Sequence, residues 1–359
     1  MTSPTILSID AMGGDRAPEA VVGGLIKVAG SDPDIRFLLH GDEAALTKAL
    51  RKPKALEGRY EVRHAEDVVE MDAKPSVAVR RGRKSSMWRA LEAVRDGEAG
   101  AAVSAGNTGA LMAMALFCLR RAEGVERPAI AALWPTRGEH EHCVCLDMGA
   151  DIRADADDLV RYAVMGAEYA RVALSIDAPR VGLLNVGTEE NKGRAEVREA
   201  ADALRAMPGE RFSFAGFVEA SAIPQGVADV VVTDGWTGNV ALKSAEGAAK
   251  FVGEYLRETF NHSILSSLAA LFARGSLYRL KRRIDPRRVN GGVFLGLDGL
   301  VVKSHGGADA TGFAAAVTLA AAMARENFAA RISAEVEKVL AAPDGGAMDD
   351  AAEAAGARP

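Results

Sequence analysis

Short runs of β-branched and apolar residues recur along the chain, separated by longer stretches whose apolar positions return every three and four residues. The runs are Thr5 to Ile9, Arg36 to Leu39, Tyr60 to Arg63, Ala101 to Val103, Ala129 to Leu133, Cys143 to Leu146, Val181 to Leu184 and Val230 to Val232. The stretches predict helices over Pro18 to Ala29, Ser85 to Asp96, Gly109 to Arg120, Asp157 to Val172, Arg194 to Ala206 and Asn239 to Phe260. Strands alternating with helices predict an α/β fold whose mostly parallel sheet is covered on both faces. No repeat period and no linker rich in Pro, Gly or Ser divides the chain, so residues 1–340 read as one catalytic domain with an excursion over 254–288. The tail, 341–359, is rich in Ala, Gly and Asp and reads as disordered.

Five segments then place Gly, Asn, Asp, Ser or Thr after a strand-like run. They are Asp10-Ala11-Met12-Gly13-Gly14-Asp15, Ser104-Ala105-Gly106-Asn107-Thr108-Gly109, Asn185-Val186-Gly187-Thr188-Glu189-Glu190-Asn191-Lys192-Gly193, Thr233-Asp234-Gly235-Trp236-Thr237-Gly238-Asn239 and Lys303-Ser304-His305-Gly306-Gly307. In a parallel sheet the carboxyl ends of all strands face one way, so these loops are expected to converge on one crevice. Glycine lets backbone N–H groups approach a ligand, and a following helix N-terminus adds unpaired donors, a combination that suits a small anion. The plainer reading of any one loop is a tight turn, with Thr108 or Asn239 as a helix cap. Neither G-x-x-x-x-G-K-[ST] nor a G-x-G-x-x-G after the first strand occurs, which disfavours a nucleoside triphosphatase or an ordinary dinucleotide-binding dehydrogenase.

Composition narrows the class. Of 359 residues, 48% are apolar and 26% charged, as in a folded globule, and 44 basic against 49 acidic residues give no excess positive charge for a nucleic-acid partner. Cys118, Cys143 and Cys145 form no disulfide framework, and Met1 to Asp10 lacks the order of a signal peptide, so a cytoplasmic location is expected. Phe313 to Ala324 falls short of the about 18 apolar residues of a membrane span and reads as a buried helix. His140 and His142 near Cys143 and Cys145 do not make a metal site, because a strand would point the first pair to one face and the second pair to the other; Glu139 to His142 reads as the polar turn of a hairpin.

In order and spacing, the five loop segments resemble the bacterial phosphate acyltransferase family, the acyl-acyl carrier protein:phosphate acyltransferases, over Thr5 to about Ala324. The resemblance implies a three-layer α/β/α sandwich akin to phosphate acetyltransferases and isocitrate dehydrogenases, with a protruding helical hairpin and a homodimer. It also implies transfer of a fatty acyl group from acyl carrier protein to inorganic phosphate, feeding phospholipid synthesis, without a cofactor or metal. Two positions depart from the family pattern: Thr188 stands where an acidic residue is usual, and Trp236 where Phe is usual.

Phosphate can attack a thioester carbonyl directly, so no enzyme nucleophile is required, and none of the familiar nucleophile motifs occurs. On this reading Lys192 is a cationic ligand for phosphate or oxyanion, and Asn107, Thr108, Asn185 and Asn239 are neutral donors. Backbone N–H groups at Gly13, Gly14, Gly106, Gly187 and Gly238 complete a cradle that also draws on Ser104, Glu189 and Thr237. Asp10, Asp15 and Asp234 would repel a phosphate dianion and are expected to order loop N–H groups or Lys192. His305 protonates the leaving thiolate or, on the plainer reading, is a buried structural residue.

In the excursion, Ile264, Leu265, Leu268, Leu271 and Phe272 recur at helical spacing, and Arg279, Lys281, Arg282 and Arg283 follow. An amphipathic hairpin with a basic flank suits an anionic membrane surface, and the family resemblance favours this reading, with a peripheral location on the inner face of the membrane. The plainer reading is a helix packed on its counterpart across a dimer, and a third is a dock for the acidic carrier protein. Competing functions are an acyl-coenzyme A-dependent phosphate acyltransferase, a metal- and NAD-dependent decarboxylating dehydrogenase, for which the chain offers no convincing carboxylate set, and a non-catalytic carrier-protein-binding module.

Overall fold

The computed structural model of the chain describes residues 4–51, 54–207, 209, 211–263, 265–266, 271–277 and 291–340. Ile264, Leu268, Arg279, Lys281, Arg282, Arg283 and the tail 341–359 lie outside these described residues.

Eleven strands form one sheet: β1 Thr5–Asp10, β2 Ile35–Gly41, β3 Tyr60–His64, β4 Ala101–Ser104, β5 Ala129–Pro135, β6 His142–Leu146, β7 Arg180–Leu184, β8 Ser213–Val218, β9 Val230–Val232, β10 Gly292–Leu295 and β11 Val301–Lys303. Their order across the sheet is β3-β2-β1-β4-β11-β10-β5-β6-β9-β7-β8. Side chains of successive residues point to opposite faces of a strand. In β4, Ala101 and Val103 join one apolar core and Ala102 the other; in β9, Val230 and Val232 are divided from Val231 in the same way. Both faces are therefore covered, giving the expected three layers.

One face carries α1 Glu19–Ser31, α6 Ala156–Leu174, α7 Ala195–Ala206, α9 Ala310–Arg325 and α10 Phe328–Leu340; the other carries α3 Pro75–Arg81, α4 Ser86–Arg95 and α5 Thr108–Leu119. α2 Glu43–Ala49 lies at the edge near β3, and α8 Gly235–Asn261 begins at the end of β9. The antiparallel β5–β6 pair is the hairpin expected around Glu139 to His142, and the Phe313 to Ala324 helix lies within α9. Strands β8, β10 and β11 and helices α2, α3 and α10 are missing from the sequence-based elements. β10 has four residues between Gly291 and Gly296, both at positive φ, so its pairing with β5 and β11 and not its periodicity makes it a strand.

The sheet corrects one expectation. β3, β2, β1, β4 and β11 run parallel, but β10 is antiparallel to both β11 and β5, and β5 is antiparallel to β6. β6, β9, β7 and β8 again run parallel to one another, so the two parallel blocks point in opposite senses. The five strand-end loops therefore do not leave one common edge. They divide into two groups, one for each block.

Candidate functional site

The first group gathers the ends of β1, β4 and β11, which are neighbours in the sheet. Its centre is Asp10, whose carboxylate is buried and accepts from Ser86 Oγ and Ser104 Oγ, each at 2.6 Å. Burial raises the pKa of Asp10, and the two hydroxyl hydrogen bonds oppose the shift. Ser104 Oγ in turn accepts from Gly106 N–H at 3.0 Å. A Cβ at Gly13 would lie 2.3 Å from Asp10 Oδ2 and 2.8 Å from Gly106 N, so only glycine admits this approach of the first loop to the second. The Asp15 N–H donates to Gly306 O at 3.0 Å and the Ser304 N–H to Ser104 O at 2.8 Å, closing the third loop onto the other two.

Lys303 sits at the end of β11 with its side chain buried and its ammonium donating to Ser304 O. Burial lowers its pKa to about 8, against the attraction of Asp10 and Asp15. The sequence places Lys303 at the head of the fifth loop segment but gives it no role, since a lysine at the end of a short strand reads as surface. His305 is exposed, contrary to the buried structural role, and its Nδ1 accepts from Gly307 N–H at 3.1 Å. Asn107 caps α5 by accepting from Ala110 N–H at 2.9 Å, so Asn107 and not Thr108 is the cap. Its amide donates to Met71 O at 2.7 Å and Ala73 O at 3.1 Å. Asn107 thus ties the segment before α3 to the loop cluster with the amide hydrogens expected to face a ligand. Thr108 is exposed beside it.

The second group gathers the ends of β6, β7 and β9. Asp147, missed in the sequence, is fully buried and accepts from the N–H groups of Ile130, Gly149, Ala150 and Asp151 at 2.5 to 3.0 Å. Its signal was present: Leu146-Asp147-Met148-Gly149 repeats the strand, Asp, Gly order of Ile9-Asp10-Ala11-Met12-Gly13. Asp234 caps α8, accepting from Thr237 N–H at 2.9 Å and Thr237 Oγ1 at 2.8 Å, which corrects Asn239 as the cap. A Cβ at Gly238 would meet Asp147 O at 1.9 Å, so the first turn of α8 is pressed against the β6 loop. Asn239 is exposed in the next turn, its side chain against Gly149.

The cations of this group also differ from expectation. Arg194, not Lys192, pairs with Asp234, at 2.5 Å. Lys192 pairs with Glu189 at 2.6 Å, both half exposed, and this lowers the Glu189 pKa. Asn185 braces their loop by accepting from Val186 N–H at 2.9 Å and donating to Lys192 O at 3.1 Å. At Gly187 a Cβ would come within 2.6 Å of both Lys192 Cδ and Glu189 Oε2. Gly193 has φ +91° and no room beside Asn185. The geometry gives one cluster built on a buried carboxylate with a buried lysine, and another that presents an exposed lysine and arginine. Both have the glycines and helix starts that suit an oxyanion.

Comparison with known proteins sharpens this chemistry. A family model described as "Fatty acid synthesis protein" matches residues 5–331. A protein of Jannaschia sp. (strain CCS1) named phosphate acyltransferase is 56% identical over 339 residues, covering 94% of this chain and 93% of its own. One of the same name from Ruegeria sp. (strain TM1040) is 56% identical over 352 residues, covering 98% and 92%. Among solved structures, the EutD phosphotransacetylase from Staphylococcus aureus superposes with a TM-score of 0.59 at 18% identity, over 89% of this chain and 94% of that one. A phosphotransacetylase from Streptococcus pyogenes gives 0.58 at 17%, over 90% and 94%. These two likenesses establish the fold.

Proposed function

The chain belongs to the phosphate acyltransferase family, and we propose that it moves a fatty acyl group from the thioester of acyl carrier protein to inorganic phosphate, releasing an acyl phosphate for phospholipid synthesis. The observation that carries this reading is the 56% identity to a phosphate acyltransferase across 94% of the chain. A phosphate oxygen attacks the thioester carbonyl, the new C–O bond forms, and the tetrahedral oxyanion collapses with cleavage of the C–S bond. The thiolate leaves and takes up a proton. The protein's share is to hold the phosphate and meet the oxyanion with fixed donors.

Lys192 is the proposed phosphate cation. Its pair with Glu189 is a surface contact in water, of the kind that contributes little, so a phosphate dianion competes with Glu189 for it. Arg194 lies on the same loop as a second cation. The N–H groups at Gly187 and Gly238 and the side chain of Asn239 supply neutral donors. In the first cluster, which belongs to the other strand block, Asp10 and Ser104 hold the loops of Gly13, Gly14 and Gly106 in place. His305 accepts at Nδ1, which puts the proton of the neutral ring on Nε2, where it can be given to the departing thiolate.

Two further parts of the reading concern α8. Among its described residues only Gly235 and Gly238 are buried, while Trp236, Val240, Phe251, Val252, Tyr255 and Leu256 are exposed along 27 residues, or about 40 Å. Two groups of exposed apolar residues on one helix, Trp236 with Val240 and Phe251 to Leu256, support a homodimer in which α8 meets its counterpart. Beyond it, Leu265, Leu271 and Phe272 are 77%, 61% and 89% exposed, which supports peripheral contact with a membrane. No helix among the described residues is long and apolar enough to cross one.

The deciding experiment is formation of acyl phosphate from acyl-acyl carrier protein with and without phosphate, read as free carrier-protein thiol and as hydroxylamine-trapped acyl group. Absence of both products from folded protein would defeat the reading.

A further inference from the structure

The chain has a net charge of −5, yet residues 74–91 contain Lys74, Arg80, Arg81, Arg83, Lys84 and Arg89 and no acidic residue. This segment is α3, the turn after it and the start of α4. The acidic residues just before it, Glu66, Asp67, Glu70 and Asp72, do not neutralise it. Only Lys84 is drawn to them, pairing with Glu66 at 2.7 Å, while Arg89 pairs with Glu92 at 2.7 Å. Lys74, Arg80, Arg81 and Arg83 are exposed and have no carboxylate partner among the described residues. Arg80 Nε donates to Ser76 O, and the Arg83 guanidinium stands 5.6 Å from the centroid of the Trp88 ring, so two of these cations are held in place without being neutralised.

The patch is also partly apolar. Val77 on α3 and Phe117 on α5 are 37% and 68% exposed. α3 runs along α5: a Cβ at Gly109 would touch Pro75 Cγ at 3.1 Å, and one at Gly82 would meet Met114 Cε. Phe117 comes about one turn further along α5. The patch is fastened to the first loop cluster, because Asn107 holds Met71 O and Ala73 O immediately before Lys74 and a Cβ at Gly306 would meet Met71 Cε.

We propose that α3 and the turn after it are the landing surface for the acidic carrier protein, with Lys74, Arg80, Arg81 and Arg83 meeting its carboxylates and Val77 and Phe117 its apolar side chains. This rests on the acyl-transfer reading above and moves carrier-protein docking from the basic run at 279–283 to the rim of the Asp10 cluster. Charge complementarity carries it. Unpaired exposed cations beside exposed apolar side chains recruit an acidic protein by steering and then by burial. A carrier protein seated there is next to the loops of Asn107 and His305, where its thioester is needed.

The test is the Arg80→Glu/Arg81→Glu double variant of the full chain, assayed with acyl-acyl carrier protein and with the small donor acyl-pantetheine. The KM for the protein donor should rise by about tenfold or more. Turnover of acyl-pantetheine and the KM for phosphate should stay as in wild type. The KM of wild type should also rise with added salt, and that of the variant much less. Lys74→Glu, at the opposite end of α3, should repeat the effect if the double variant folds poorly. An unchanged KM for acyl-acyl carrier protein in folded variants overturns the proposal. So does loss of binding to phosphatidylglycerol vesicles with that KM unchanged, which would assign the patch to a membrane. If wild type makes no acyl phosphate from either donor, the acyl-transfer reading fails, and titration of unacylated carrier protein onto wild type and variant still decides the surface.

Discussion

Ser104 donates its hydroxyl hydrogen to Asp10 Oδ2 at 2.6 Å while its oxygen accepts the Gly106 N–H at 3.0 Å, so one side chain joins the ends of β1 and β4. Because Asp10 and Ser104 are both buried, neither has water as a substitute partner. Ser104→Ala should lower unfolding free energy by about 1 to 3 kcal/mol, the usual cost of leaving a buried acceptor short of a donor. Asp10→Ala, which strands the Ser86 hydroxyl as well, should cost more. Urea unfolding monitored by circular dichroism measures both, and equal stability of Asp10→Ala and wild type would refute the cluster's structural role.

Lys192→Ala should cut phosphate-dependent turnover sharply while the melting temperature stays where it is, since the side chain is half exposed and its single ion pair is on the surface. Saturation kinetics in phosphate give the readout. Glu189→Gln should lower the KM for phosphate, because the carboxylate that competes for the ammonium is gone. Wild-type kinetics in a folded Lys192→Ala protein would remove Lys192 from the site.

Lys303 links stability to alkaline pH. Burial takes its folded pKa down to about 8, below its ordinary value of 10.5. Between these values the unfolded chain holds more protons than the folded one, so raising pH favours folding. The penalty of the buried ammonium is complete below pH 8 and is relieved as pH rises towards 10.5. Relative to Lys303→Met, wild type should gain on the order of 3 kcal/mol across that window. Parallel denaturant titrations at pH 7, 8, 9 and 10 test the slope, and a flat difference would contradict it.

Two glycines of α8 should respond oppositely to alanine. At Gly238 a Cβ would be 1.9 Å from Asp147 O, and Gly238→Ala should destabilise by several kcal/mol or prevent folding. At Gly247 nothing lies within 4 Å, and Gly247→Ala should stabilise by about 0.5 to 1 kcal/mol through helix propensity alone. Thermal melts of the two variants make the comparison, and a destabilised Gly247→Ala would place Gly247 inside the proposed α8 dimer seam.

The exposed apolar residues beyond α8 and those on it should separate in function. Leu271→Glu/Phe272→Glu should reduce flotation with anionic liposomes without changing the molar mass in solution, whereas Phe251→Glu/Tyr255→Glu should shift a dimer to a monomer in light scattering. The Phe251 and Tyr255 rings lie 4.9 Å apart, tilted by 50°, on one side of the helix. Flotation of the first pair at the wild-type level would rule out membrane contact through this tip.

Periodicity places five of the six expected helices within two residues of their observed limits; the sixth, α8, starts four residues earlier, at Gly235, because Asp234 and not a later residue caps it. The glycine loops were legible because a strand followed by Gly and Asp has few uses other than a close backbone approach. Which loops meet was not legible. The direction of a strand depends on how it pairs, and the reversal at β10 and β5 comes from contacts between residues more than 150 positions apart, such as Val293 with Ala131. The roles of side chains shifted for the same reason: Asn107 faces Met71 and Ala73, and Arg194 reaches Asp234.

The α/β class, the positions of the anion-suited loops and the family are legible before folding is considered, since they depend on local pattern and on the order of motifs along the chain. The division of the loops into two clusters, the burial of Asp10 and Asp147 as the carboxylates that order them, and the burial of Lys303 arise on folding. Burial and pairing are properties of the neighbours a residue acquires on folding, and those neighbours come from distant parts of the chain.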